Sequence, residues 1–147
     1  MKFYALLFCL FFCVGCGKPP KKDVNGDFPS DVFRNFIQAV DSNSVELARS
    51  FWDDIPHEVN GGGRGTFSEE FQWWRDFDEI KIVGSYQGKT IKYDPTYYHY
   101  RRMSMTEDIT YYHVVTECFK DGEKIAGPHP GLYLLDGTWK IHRNISW

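Results

Sequence analysis

The chain has 147 residues, a length typical of a single domain. Its formal net charge is −3, and removal of residues 1–15, which hold one lysine and no acid, lowers that charge by one unit. Modules that bind nucleic acid are usually basic, so this charge balance excludes a general binder of nucleic acid. Aromatic side chains make up 18% of the residues, and they let a chain this short build a sizeable core.

The first sixteen residues are typical of an export signal. A lysine precedes an uninterrupted apolar run over residues 3–14, which is shorter than the roughly 20 residues that a membrane-spanning helix needs. The sequence Cys-Val-Gly-Cys at residues 13–16 resembles the cleavage box of bacterial lipoproteins, although Cys13 replaces the usual aliphatic residue. The resemblance implies a signal peptide over residues 1–15 and a lipid-modified Cys16. An ordinary signal peptide cut nearby is the alternative.

Residues 16–27 separate this signal from the rest of the chain. They are polar, rich in proline and glycine and without periodicity, which is typical of a flexible spacer. We expect a lipidated tether here, followed by one domain over residues 28–147. Acylation of Cys16 would attach the protein to a lipid bilayer of the cell envelope. Gly17 stands where an aspartate usually retains lipoproteins in the inner membrane, so the resemblance implies the outer membrane in a cell with two membranes.

Cysteine usage fits this organisation. Cys9 and Cys13 leave with the signal and Cys16 is blocked by lipid, which leaves Cys118 as the one cysteine of the domain. No internal disulfide can then form. Cys118 lies in an apolar strand pattern, and we expect it to pack as a small hydrophobic residue rather than to serve as a reactive thiol.

Three short helices are predicted at the start of the domain. The first begins at Asp31 and carries an apolar stripe through Val40. The second extends to about Asp54, and the third contains the adjacent Trp73 and Trp74. Residues suited to N-capping precede each helix: Ser30, Ser44 and Thr66.

From residue 80 the apolar period changes to two, which is typical of strands. Five strands are predicted, over residues 80–87, 90–100, 109–120, 123–135 and 138–146. Asp-Gly pairs at residues 121–122 and 136–137 favour tight hairpins, so the last three strands form an antiparallel meander. The Gly-Pro-His-Pro-Gly sequence at residues 127–131 predicts a bulge or excursion in the fourth strand, because proline cannot donate to the ladder.

This order of elements resembles the NTF2-like, or cystatin-like, superfamily. The resemblance rests on residues 33–40 and 41–52 and above all on the Leu-Leu-Asp-Gly-Thr-Trp-Lys-Ile sequence at residues 134–141, and it covers residues 29–147. It implies an α+β cone in which N-terminal helices pack on a strongly curved antiparallel sheet with a pocket at its open end. Small bacterial lipoproteins of unknown role share this layout. Members also include isomerases, dehydratases and non-catalytic binding modules, so the fold alone does not decide the function.

Side-chain alternation along two strands selects the candidate site residues. On the last strand, Trp139 and Ile141 mark the core side, and Arg143 shares that side. On the strand over residues 109–120, His113 and Glu117 share one side, while the other side is the drier one. It carries Tyr112, Val114, Thr116 and Cys118.

Ligand sites are apolar pockets with a few convergent polar groups. His113, Glu117 and Arg143 are therefore the candidate binding groups, with Trp73 expected near the pocket mouth or a partner. The structural alternative is an ion pair between Arg143 and Glu117 with a satisfied His113 near the rim. The five histidines show no ligand spacing and the domain has a single cysteine, so neither a metal site nor a cofactor is expected.

Three functions compete on this reading of the sequence. The first is a membrane-tethered, non-catalytic module that binds a small apolar ligand or a protein partner. The second is a lyase or isomerase in which Glu117 acts as a base beside His113 and Arg143; no catalytic residue is carried over from the superfamily. The third is a structural homodimer that pairs its sheet faces.

Overall fold

The computed structural model describes residues 18–53, 67–96 and 105–142. Within them, three helices lie at Pro29–Asp41 (α1), Val45–Ser50 (α2) and Phe67–Arg75 (α3). Five strands follow, at Glu79–Ile91 (β1), Ile109–Lys120 (β2), Glu123–Ala126 (β3), Gly131–Leu135 (β4) and Thr138–Ile141 (β5). The predicted α+β class, with helices ahead of an antiparallel sheet, is confirmed.

The sheet has the strand order β1-β2-β4-β5, and β3 and β4 pair with successive parts of β2. Two-residue turns join β2 to β3 and β4 to β5. Their φ angles are all positive, 53° and 78° at Asp121 and Gly122 and 50° and 79° at Asp136 and Gly137. This conformation suits type I′ hairpins, in which Asp-Gly is a preferred pair. The predicted antiparallel meander is confirmed.

The predicted interruption of the fourth strand separates β3 from β4. Gly127 lies so close to the main chain of Thr116 that an added Cβ would overlap the Thr116 carbonyl group. The Thr116 hydroxyl donates a hydrogen bond to the Pro128 carbonyl oxygen at 2.6 Å. The excursion is therefore fixed to β2 by a close backbone approach, by this side-chain bond and by a main-chain bond from Val114 N–H to the Pro130 carbonyl oxygen at 3.0 Å.

The two faces of the sheet have different roles. One face, here called the helix face, carries Tyr112, Val114, Thr116 and Cys118 of β2, which are all buried. The apolar stripe of α1 packs on this face together with α3, where the rings of Phe33 and Trp74 meet edge to face at 5.2 Å. Trp139 and Ile141 of β5 lie on the same face and are 3% and 1% exposed. The predicted core side of both strands and the burial of Cys118 are thus confirmed.

The start of α1 differs from the prediction. The helix begins at Pro29 with Phe28 as its N-cap, rather than at Asp31 with Ser30 as its cap. The Asp31 carboxylate reaches back to accept a hydrogen bond from the Phe28 main-chain N–H at 3.1 Å. That bond and the neighbouring Arg34 guanidinium hold the pKa of Asp31 below its usual value. The acid in the first turn therefore satisfies the main-chain donor of the N-cap residue itself, which is the reach-back half of a capping box.

The end of α2 also differs from the prediction. The helix is six residues long and stops before the predicted end near Asp54. The next residues run beside β5: Ile141 N–H donates to the Phe51 carbonyl oxygen at 2.8 Å, and Asp53 N–H donates to the Ile141 carbonyl oxygen at 3.1 Å. Trp52 forms a parallel bridge with Ile141. Pairing with the sheet edge replaces the last helical turn.

The two strands predicted over residues 80–87 and 90–100 form the single strand β1. Bulges at Val83 and at residues 88–89 absorb extra residues against β2, so Gly88 bends the strand without ending it. The strand ends at Ile91, and Asp94 then accepts hydrogen bonds from the Thr96 main chain and hydroxyl at 2.8 and 2.6 Å. This turn around a proline is incompatible with continued pairing.

Candidate functional site

Residues 18–27, here called the N-terminal strap, lie across one end of the sheet. This end, the cavity end, holds the end of β1, the start of β2 and the β4–β5 turn. The Asp121–Gly122 turn lies at the opposite end, the hairpin end. The strap was expected to be part of a flexible spacer. Its described residues instead make hydrogen bonds to three strands of the domain.

The hydrogen bonds between the strap and the sheet use the main chain of the strap or the Asp23 carboxylate. The main-chain N–H of Lys18 donates to Gln87 Oε1 at 2.8 Å, and the Tyr112 hydroxyl donates to the Lys18 carbonyl oxygen at 3.2 Å. The Trp139 indole N–H donates to the Lys21 carbonyl oxygen at 3.2 Å. The sheet therefore offers polar groups that recognise an extended main chain.

Beyond Lys21 the strap turns over the β4–β5 hairpin. The main-chain N–H of Val24 donates to the Gly137 carbonyl oxygen at 3.0 Å. The Asp23 carboxylate accepts from Asn25 and Asp27 main-chain N–H groups at 2.8 and 3.0 Å, which closes a compact turn. The strap is thus anchored at both ends before the chain enters α1.

A cavity of about 690 Å³ lies between the N-terminal strap and the helix face of the sheet. Drug-sized ligand pockets have volumes of roughly 300–1,000 Å³, so this volume suits a small molecule. Strap, β1, β2, β4 and β5 all contribute to its lining. The apolar members of the lining are Leu134 and Trp139 on the helix face and Pro19 of the strap, together with Met105 and Ile109 at the end of the sheet.

Polar groups surround this apolar surface. Thr90 and Thr110 face each other across β1 and β2 with their hydroxyl oxygens 3.0 Å apart. The exposed Lys18 and Lys21 of the strap and the exposed Glu107 also line the cavity. A lining that is about half apolar and half polar, with charges of both signs, suits an amphipathic small molecule.

Asp108 also lines the cavity, but its carboxylate is already engaged. It accepts from Lys92 Nζ at 2.7 Å and from the Tyr93 main-chain N–H at 2.9 Å. These bonds, that from Lys92 first, hold the pKa of Asp108 below its usual value. Of the two acids at this rim, Glu107 is therefore more available to a ligand than Asp108.

His113 and Glu117 lie on the opposite face of the sheet from the cavity. This face, the outer face, carries alternate residues of β2. The His113 ring stacks on Tyr86 with centroids 5.1 Å apart, and its Nδ1–H donates to the His129 carbonyl oxygen at 3.1 Å. At about 3.3 Å per residue, His113 and Glu117 are about 13 Å apart along the strand. The structure does not bring these two candidate groups together.

Glu117 pairs with Lys124 on the neighbouring strand, with Lys124 Nζ 2.5 Å from Glu117 Oε1. Its side chain is about one third exposed, as expected for a surface pair across two strands. Arg143, the expected partner in an ion pair, lies outside the described residues, as does Cys16. Glu117 lies on the face opposite Trp139 and Ile141, the residues with which Arg143 was expected to share a side.

Trp73 is half-buried while Trp74 is almost fully buried, in keeping with the expectation that only one of the two closes the core. The Trp73 ring packs edge to face on Phe77 at 4.7 Å and on Trp74 at 4.8 Å. It extends the core near α3, and it does not belong to the lining of the cavity described above.

A cluster of buried polar groups at the β5 edge was missed in the sequence. Asp53 is fully buried, and its Oδ2 accepts from His142 Nδ1–H at 2.8 Å and from the Tyr133 hydroxyl at 3.0 Å. Burial first, and the Asp53 carboxylate second, raise the pKa of the Tyr133 hydroxyl far above its usual value. The phenol is thus held in the protonated form that donates to Asp53.

His142 follows Ile141 at the end of β5, so the alternation of side chains predicts that it lies on the face opposite the core side. His142 is 6% exposed and lies on the outer face, where Tyr111 and Tyr133 pack against its ring. The period-two pattern gave its face correctly but not its burial, since the outer face has a second small core around Ile109 and Tyr133. In the sequence, the feature that could have indicated this buried cluster is the position of Asp53 directly after the apolar Phe51 and Trp52.

Across residues 18–53, 67–96 and 105–142, no helix is long and apolar enough to cross a membrane. The same residues hold no group of three or more His, Cys, Asp or Glu side chains arranged to bind a metal ion. Comparison of the chain with protein-family models, curated proteins and solved structures gives no match.

Proposed function

We propose that this protein is an envelope lipoprotein, anchored through acylated Cys16, whose NTF2-like domain binds a small amphipathic ligand without transforming it. The observation that carries the binding proposal is the 690 Å³ cavity between the N-terminal strap and the helix face. Support for the superfamily comes from helices packed on one face of an antiparallel sheet and from the Leu134–Trp139 pairing within its terminal hairpin. The cone-like curvature of the sheet belongs to the same proposal.

The non-catalytic proposal rests on the separation of the titratable candidates. Glu117 and His113 both lie on the outer face and therefore do not face the cavity. Glu117 is paired with Lys124, and His113 donates to the His129 carbonyl oxygen. General acid–base chemistry needs the reacting proton within hydrogen-bond reach of the catalytic group. The lyase or isomerase alternative, which joins these two residues with Arg143, therefore has less support than binding.

The anchor is tested by fractionation and mass analysis. Wild-type protein is expected in the membrane fraction with an acyl mass on the peptide that begins at Cys16, and Cys16→Ser is expected to lose both. Equal membrane retention of the serine variant would overturn the anchor.

The ligand site is tested by titration with the fluorescent probe anilinonaphthalene sulfonate. We expect saturable binding at one site, and we expect Thr110→Phe to abolish it by filling the cavity. Val83→Phe is the matched control, because Val83 is 54% exposed and is not part of the cavity lining. Equal binding by both variants would overturn the assignment of the cavity as the site.

Pairing of two outer faces in a homodimer is a separate proposal. The outer face carries Tyr86, which is 47% exposed, beside the His113 ring on β2. Sedimentation of the wild type and of Tyr86→Glu tests it: a dimer that the glutamate dissociates supports the pairing, and a monomeric wild type contradicts it.

A further inference from the structure

The N-terminal strap leaves very little free chain between the proposed anchor and the domain. Lys18 is held to the sheet by two hydrogen bonds, one from its own N–H to Gln87 and one to its carbonyl oxygen from Tyr112. Cys16 precedes Lys18 by two residues. A fully extended chain spans at most about 3.5 Å per residue, so Cys16 reaches no more than about 7 Å from that attachment.

This distance is short compared with the domain. Lys89 lies near the cavity end, beside Thr90, whose partner on β2 is Thr110. Glu123 lies at the hairpin end, opposite Lys120. Thr110 and Lys120 are ten residues apart along β2, which corresponds to about 30 Å. A lipid anchor within about 7 Å of Lys18 is therefore close to one end of the sheet and far from the other.

We propose that the N-terminal strap seats the domain directly on a lipid bilayer, with the cavity end against the lipid surface and the hairpin end pointing away. The inference rests on the proposed acylation of Cys16 and adds to it a fixed orientation. A flexible spacer of the kind expected from residues 16–27 would leave the domain free to turn. The docked strap removes that freedom and places the cavity next to the membrane.

The strap begins with a short basic segment on the side of the proposed anchor. Lys18, Lys21 and Lys22 are exposed there, while the exposed acids Glu107 and Asp108 lie on the cavity rim. Basic residues beside an anchor are attracted to anionic headgroups by about 1 kcal/mol each near the surface. The first residues of the strap thus place three cations next to the proposed acylated residue, a combination that gives firm membrane attachment.

The orientation is tested with the acylated full chain reconstituted in vesicles of phosphatidylethanolamine and phosphatidylglycerol that carry headgroup nitroxide lipid. A fluorophore is attached at Lys89→Cys or at Glu123→Cys, both exposed positions. Cys118→Val in both variants removes the remaining thiol of the domain. We expect the nitroxide to quench the label at residue 89 severalfold more than the label at residue 123.

A linker variant is the control for the strap. Insertion of a Gly-Ser segment of about six residues between Gly17 and Lys18 adds a mean reach of about 13 Å. We expect this variant to remain on the vesicles and to lose most of the difference in quenching between the two labels. An unchanged difference in the linker variant would contradict a role for the short connection.

The outcomes separate the two proposals. Vesicle-bound protein with equal quenching at residues 89 and 123 would overturn the orientation and leave the lipid anchor standing. Wild-type protein that does not stay with the vesicles would overturn the anchor, and the orientation with it.

Discussion

The indole N–H of Trp139 donates a hydrogen bond to the carbonyl oxygen of Lys21 at 3.2 Å. Trp139 belongs to β5 and packs on Tyr112 of β2 with ring centroids 5.4 Å apart, so one side chain joins the core to the N-terminal strap. Trp139 thus connects the lining of the cavity to the N-terminal strap.

Trp139→Ala and Trp139→Phe are expected to separate these two roles. The alanine variant loses a buried ring and should lose about 3–5 kcal/mol of unfolding free energy, measured by urea denaturation. The phenylalanine variant keeps much of the packing and loses the donor to Lys21. We expect it to fold and to show faster amide exchange at Lys18, Asp23 and Val24, whose N–H groups are hydrogen-bonded, than the wild type.

Equal amide exchange in wild type and Trp139→Phe would show that the strap does not depend on the indole. A normal midpoint for Trp139→Ala would contradict the placement of Trp139 in the core.

The buried pair of Asp53 and His142 is expected to contribute strongly to stability. His142→Ala leaves the fully buried carboxylate with the Tyr133 hydroxyl as its remaining donor in the described part of the chain. A buried polar group that loses a hydrogen-bond partner typically costs about 1–3 kcal/mol, and more when the group is charged. Lys92→Ala is the matched control, because its pair with Asp108 is exposed and such pairs contribute little. Similar denaturation curves for the two variants would contradict the buried cluster.

Two glycines on the sheet are expected to respond in opposite ways to a single methyl group. Gly127→Ala forces a Cβ into the Thr116 main chain, so its melting temperature should fall by many degrees. Gly84→Ala places the same methyl group in open space and should leave the melting temperature unchanged or slightly higher. A stable Gly127→Ala protein would show that the excursion between β3 and β4 lies further from β2.

The thiol of Cys118 is expected to react slowly while the protein is folded. Burial raises the pKa of this thiol, so the thiolate that reacts is scarcer at pH 8 than for a free cysteine. A disulfide reagent should release its thiol product slowly when it reacts with the native protein and rapidly when it reacts with the protein in denaturant. Release as rapid in the native protein as in denaturant would contradict the packing of Cys118 against the helices.

The parts of the fold that sequence predicted are those set by local chemistry. Asp-Gly pairs demand positive φ at Asp121 and Asp136, and alternation along β2 separates Tyr112 from His113. Burial on the outer face follows instead from packing between distant segments. The Asp53 and His142 pair joins residues 89 positions apart, so no local pattern could indicate it.

The candidate site was harder to predict for the same reason. The face of His113 and Glu117 was assigned correctly, but polar residues on a strand do not reveal on which side a cavity lies. The cavity depends on Lys18 meeting Gln87 across 69 positions, and the donor on the strap is a main-chain N–H, which almost every residue has. A polar segment rich in proline resembles a flexible spacer whether or not a sheet is placed to bind it.

The most direct test of the account is native mass spectrometry of the protein purified from its own membranes. We predict that the wild type and Val83→Phe carry a bound small molecule that is released on unfolding, and that Thr110→Phe carries none because phenylalanine fills the cavity. A wild-type protein without any bound molecule, or the same molecule on Thr110→Phe, would contradict the claim that the cavity beneath the strap is a ligand site.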